Sequence, residues 1–152
     1  MPKTQAITEE LKSMAEVYDG DQVCREKFSL LLAELGFPDG LLAVQDIQEC
    51  GYAEEIGFVW LKLKKKMEHK IENILVSYDN VVTAYVEPNK IKNLTGVKVK
   101  PSFFWLSLTE IYADDNAQGS VITFKSIIGL SMSFPWSMFQ AEFEKEELME
   151  YQ

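Results

Sequence analysis

The chain has one histidine, His69, and one arginine, Arg25, among its 152 residues. A lone histidine excludes a histidine-rich metal site, no carboxylate cluster has metal spacing, and any Ser/His/Asp triad would have to use His69. The scarcity of arginine argues against nucleic acid as a partner, because such an interface needs a basic patch that grips phosphates and base edges. No apolar run approaches the ~20 residues of a membrane span, so no integral membrane segment is expected. The two cysteines, Cys24 and Cys50, fit neither a ligand spacing nor a redox pair. The opening residues MPKTQAITEE lack the apolar core of a secretory signal. A cytoplasmic protein with two reduced thiols is the resulting expectation, and the sequon Asn93-Leu94-Thr95 is expected to stay unmodified. No catalytic signature stands out and no cofactor is expected.

What is present is a large apolar fraction, 47%, enough for one sizeable core without disulfides or metal. The net charge of -9 is unevenly spread. Residues 1–56 hold 12 acids and 4 bases, residues 57–136 hold 7 acids and 10 bases, and residues 137–152 hold 5 acids and 1 base. A mildly basic body thus lies between two acidic ends.

The periodicity predicts three regions. Residues 1–20 form an N-terminal helical or flexible segment, with Ile7, Leu11, Met14 and Ala15 on one stripe of a short helix over 6–17. Residues 21–140 form a single domain. Its helix, 22–35, has Asp21 as N-cap, apolar Val23, Phe28, Leu31, Leu32 and Leu35, and Gly36 as the stop. Leu41, Leu42 and Val44 lead into a strand or form an irregular cover. From Gly57 the period changes to two. Strands are predicted at 58–64, 71–78 and 81–87, with Asp79-Asn80 as a hairpin turn between the last two. Val97–Lys100 and Phe103–Tyr112 read as one long strand interrupted at Pro101, and Val121–Phe124 and Leu130–Phe134 as a final hairpin. Residues 141–152 are an acidic tail. The expected fold class is mainly β (α+β), an antiparallel barrel or sandwich with one or two N-terminal helices packed on it.

Several short motifs resemble the plant family known as domain of unknown function 538. They are Glu49-Cys50-Gly51-Tyr52, Gly57-Phe58-Val59-Trp60-Leu61-Lys62, Val76-Ser77-Tyr78-Asp79, Val82-Thr83-Ala84-Tyr85-Val86-Glu87 and Leu94-Thr95-Gly96-Val97-Lys98. Thr109-Glu110-Ile111-Tyr112, Ile122-Thr123-Phe124-Lys125, Gly129-Leu130-Ser131 and Ser133-Phe134-Pro135 follow in the same order. The resemblance implies a plant source, a β-barrel-like body with an N-terminal helix, and more weakly a distant likeness to lipid-binding, permeability-increasing-type proteins. Three departures enlarge the apolar content: Met132 where relatives usually carry a basic residue, Trp136 for a small apolar one, and Pro101-Ser102-Phe103-Phe104 for a Lys-Glu-Leu-like stretch.

Candidate chemistry rests on few residues. His69 reads as a solvated turn histidine or as a general acid or base, since imidazole titrates near physiological pH. Tyr78 and Tyr85 are the further candidate proton donors. Asp79 reads as a turn former, and Glu110 as an exposed strand residue. Lys62, with Lys64, Lys65 and Lys66, reads as a solubilising strand edge or as an anion site. Trp60, Phe103, Trp105, Phe124, Met132 and Trp136 are candidate ligand-binding residues, weighed against plain core packing. Trp60, Tyr85, Trp105, Met132 and Trp136 are expected at or near one cavity. The functional expectation is binding of an apolar or amphipathic small molecule, lipid-like or a plant specialised metabolite, in a β-barrel pocket. The alternatives are a cofactor-independent isomerase, cyclase or lyase using the same pocket, and a regulatory or structural interaction protein.

Overall fold

The computed structural model describes residues 7–116 and 119–139. The predicted acidic tail lies outside them. The first helix, α1 (Glu9–Ser13), starts where the Thr8 hydroxyl accepts a hydrogen bond from Leu11 N at 3.1 Å. It is shorter than predicted. Val17 belongs to β1 (Glu16–Asp19), where pairing opposite Gly51 gives it a ladder partner.

Helix α2 (Asp21–Glu34) agrees with the sequence in its extent. Its N-cap is Gly20 at φ +96°, not Asp21. Asp21 sits one residue inside and has two other tasks. One carboxylate oxygen accepts the Ile47 N–H at 3.1 Å, and the other holds Arg25 at 2.8 Å, one turn along. The helix ends in a Schellman motif, with Phe37 N donating to Leu32 O, Gly36 N donating to Ala33 O, and Gly36 at φ +90°. Residues 37–44 then run as irregular cover that buries Phe37, Leu41 and Val44.

The remaining strands are β2 (Ile47–Ala53), β3 (Phe58–Leu63), β4 (Met67–Ile71), β5 (Ile74–Glu87), β6 (Lys90–Lys100), β7 (Leu106–Asn116), β8 (Gly119–Ser126) and β9 (Ser131–Pro135). A 3-10 turn, Trp136–Phe139, follows. Among the described residues the strands form one antiparallel sheet in the order β1-β2-β3-β5-β6-β7-β8-β9, with β4 paired to β5 beside β3. The mainly β, antiparallel expectation holds. The sheet does not close from β9 back to β1, so the architecture is an open barrel or sandwich.

Two strand assignments are corrected. Asp79-Asn80 is not a turn but the middle of β5, where the strand exchanges partners: 74–78 pair with β4 and 81–85 with β3. Two polar residues at that seam, one of them exposed, imitate a turn signal. The hairpin turn lies instead at Glu72-Asn73, with Glu72 at φ +53°. Pro101 does not interrupt a strand; it opens the 101–105 loop between antiparallel β6 and β7. β1, β2 and β4 are not among the predicted strands: β1 is only four residues long, β2 contains Gly51, and β4, though it alternates, is five residues with a polar centre.

The two faces of β3 are as the alternation predicts. Val59, Leu61 and Leu63 face inward, joining Cys50 of β2, Val82 and Ala84 of β5 and Leu31 and Leu32 of α2 in the main core. Phe58 and Trp60 face outward and form a second, small core with Ala53, covered by Ile7, Leu11 and Ala15 of the α1 segment and by Tyr85. The predicted stripe of the first helix is thus explained, apart from exposed Met14.

A cleft beside helix α2

Between α2, residues 39–45 and β4 lies a cleft of about 360 Å³. Helical spacing puts Arg25, Phe28, Ser29 and Leu32 on one side of α2, all facing it. Leu42, Ala43, Val44 and Gln45 line it from the irregular segment, Ile47 and Leu61 from the sheet, and Met138 from the 3-10 turn. His69, Lys70, Ile71 and Glu72 close it along β4, and Asp39 adds a further carboxylate. The floor is apolar and the rim carries both signs of charge. Asp21 fixes the geometry, because its carboxylate ties the Arg25 guanidinium and the start of β2 to the same turn of α2.

His69 is half-buried on β4, opposite Val76, and lines this cleft. It is therefore not the solvated turn histidine of one sequence reading. Tyr78 is buried beneath the same segment and hydrogen-bonded to the backbone of Ala43. Burial pushes its phenol well above the ordinary value and keeps the hydroxyl protonated, and its bond to the Ala43 backbone props residues 39–45. Tyr85 lies on the opposite face of the sheet, its ring 5.2 Å from that of Phe58.

The expected aromatic cavity is corrected. Trp60 and Tyr85 belong to the small outer core, Trp105 lies on the exposed 101–105 loop, and Met132 and Trp136 pack against the main core from its far edge. Five residues predicted at one cavity occupy three places. Phe124 is buried against Phe134 and Phe139, at 5.4 and 5.7 Å between ring centroids. Phe103 is 91% exposed. Lys62 pairs with Glu49 at 3.4 Å on the outer face, so its charge is already matched there. The space enclosed between α2 and the sheet amounts to about 30 Å³, too little for a ligand.

Sequence reasoning missed Arg25, Ser29 and Asp39. The signal was present in α2, where Arg25 and Ser29 border the Phe28–Leu32 stripe and so mark its open edge. A second cleft of about 330 Å³ lies on the other side of α2, lined by Tyr18, Lys27, Leu31, Glu34, Cys50 and Tyr52. Cys24 and Cys50, read from the sequence as unrelated, are neighbours across the α2–β2 contact; both are free and buried, and the Cys24 thiol donates to Tyr18 O at 3.4 Å. Among the described residues no group of three or more His, Cys, Asp or Glu side chains is placed to hold a metal ion, and no helix is long and apolar enough to cross a membrane.

A family model described as "Protein of unknown function, DUF538" matches residues 28–140, the larger part of the chain. No curated protein and no solved structure matches it.

Proposed function

The chain belongs to the DUF538 family, and on that premise we propose that it binds a small amphipathic molecule in the cleft beside α2. The observation that carries this reading is the combination of about 360 Å³ with an apolar floor of Phe28, Leu32, Leu42, Ile47, Leu61 and Met138 and a rim bearing Arg25, His69 and Lys70. Small-molecule sites begin at roughly 300 Å³ and pair apolar walls with a few polar groups that fix orientation. A ligand with an apolar body and a polar or anionic head fits that division. Lipid-like molecules and specialised metabolites are the classes concerned.

The test is titration with an anionic amphipathic fluorophore, 1-anilinonaphthalene-8-sulfonate. Ser29→Trp places a large side chain in the cleft from a helix surface. It should weaken binding by at least ~10-fold, about 1.4 kcal/mol, while the melting temperature holds. Ala33→Trp, on the exposed side of α2, should do neither. Equal affinity in the wild type and Ser29→Trp would reject the cleft as the site.

One observation favours a second reading, a cofactor-independent enzyme. The single imidazole of the chain and two carboxylates, Asp39 and Glu72, line the same cleft, and one placed acid or base can run such chemistry in a shaped site. His69→Gln separates the two. It should leave affinity within about twofold if the cleft only binds, and abolish turnover of a bound ligand if the cleft catalyses.

A further inference from the structure

We propose that the loops 101–105 and 127–130, at one end of the sheet, form a docking surface for an anionic phospholipid membrane. The proposal does not depend on the cleft reading. The first loop presents Phe103 at 91% exposure, with Phe104 and Trp105 less so; the second presents Ile127, Ile128 and Leu130, exposed by between 40% and 65%. The loops are neighbours, since the Ile127 N–H donates to Ser107 O at 2.9 Å. Six large apolar side chains therefore stand together, where a water-soluble surface seldom concentrates them.

Their exposure is built in. In the second loop Gly129 N donates to Ser126 O, Ser126 N donates to Leu130 O, and Leu130 N also reaches the buried Ser126 hydroxyl at 3.1 Å. These bonds, with that of Ile127 N to Ser107 O, fix the turn in the conformation that leaves Ile127, Ile128 and Leu130 exposed. Aromatic residues at a loop tip have the chemistry of the membrane interface, where an apolar ring and a polar edge are both accommodated.

Charge selects the partner. Residues 95–109 and 126–139 contain no Asp or Glu, in a chain of net charge -9. Behind the first tip stand Lys98 and Lys100, neither with an ion pair among the described residues, and Lys100 lies 5.8 Å from the Trp105 ring. Behind the second stands Lys125, 3.9 Å from Glu110. Two acids share this end: Glu72 on the neighbouring β4–β5 turn, and Glu68 of β4, opposite Ser77, which in turn pairs with Lys98. Glu54, Glu55, Glu87 and Asp114 lie towards the other end of the sheet. The apolar tips thus point the same way as Lys98 and Lys100, which have no ion pair among the described residues, and away from Glu54, Glu55, Glu87 and Asp114. A second copy of this chain fits poorly, because an isologous contact would set Lys98 and Lys100 against their own equivalents. An anionic bilayer accepts the side chains and attracts the lysines.

The experiment is sedimentation of the full chain with phosphatidylcholine vesicles with and without phosphatidylserine. The wild type should pellet with the anionic vesicles, less so as salt rises. Phe103→Ser/Phe104→Ser and Ile128→Ser, all at exposed positions, should each lower partitioning by ~10-fold or more with unchanged circular dichroism. Lys100→Ala should lower it about fivefold. Ser29→Trp should leave it unchanged, which keeps this surface distinct from the cleft. A wild type that stays in the supernatant, or tip variants that pellet as it does, would overturn the proposal. So would a concentration-dependent dimer that Phe103→Ser abolishes, which would assign the tips to a second copy.

Discussion

The Glu49 carboxylate accepts a hydrogen bond from the Trp60 indole N–H at 2.9 Å, across the β2–β3 pair on the outer face of the sheet. Lys12 of α1 and Lys62 of β3 approach the same carboxylate at 3.3 and 3.4 Å. Burial by itself would raise the Glu49 carboxyl, but the bonds from Trp60 and Lys12 and the nearby charge of Lys62 outweigh it and hold the group below its usual 4.5. A lowered folded-state value means that the contribution is complete above that usual value and is lost as pH falls through the folded one. Glu49→Gln should therefore cost about 1–2 kcal/mol near neutral pH. The gap to wild type should close in acid. Urea unfolding across that range checks both; a gap that widens on acidification would contradict the assignment.

Gly51 is needed for space and not for its backbone angles. It pairs with Trp60, and a Cβ there would clash with the Cζ2, Cη2 and Cε2 atoms of the indole. Gly51→Ala should lower stability by about 2–3 kcal/mol through overpacking. In a Trp60→Val background the same change should cost markedly less, and thermal melts of the four proteins measure that coupling.

Thr83 and Thr95 share a buried hydroxyl–hydroxyl hydrogen bond of 2.6 Å between β5 and β6. Thr83→Val strands its partner and should cost about 1–2 kcal/mol. Replacing both by valine should return most of that loss, because neither group is then left unpaired. If the double variant were as weak as the sum of the singles, the bond would not be the reason these residues are polar.

The Cys24 and Cys50 thiols should resist alkylation in the native protein. Desolvation raises both above their usual value, Cys50 strongly, which leaves almost no thiolate at neutral pH. Iodoacetamide should label both in urea and neither without it, as read by intact mass. Rapid native labelling would show that the α2–β2 contact opens.

How much of this was legible depended on periodicity. α2 was readable because an apolar stripe ended at Gly36, and β3 because its alternation continued for six residues. β5 was not, since Asp79-Asn80 carry turn chemistry inside a strand whose partners change there. The cleft was hidden for a related reason. Its walls come from α2, an irregular segment and a charged edge strand, so its residues are far apart in sequence and mixed in type. The aromatics drew attention instead, yet most of them fill cores or stand on loop tips. His69 was identified, but not the Asp21–Arg25 clamp across from it.

β5 has a consequence for how the protein comes apart. Its first half carries β4, its second half carries β3, and its other edge carries β6 along both. Neither half-sheet can melt and leave the other a complete edge to rest on. Denaturation should then be a single cooperative event in which reporters at opposite sides keep step. Indole signals from Trp60, beneath α1, and Trp136, beside β9, provide that pair of clocks, and a nick between Tyr78 and Val81 should stop both at once.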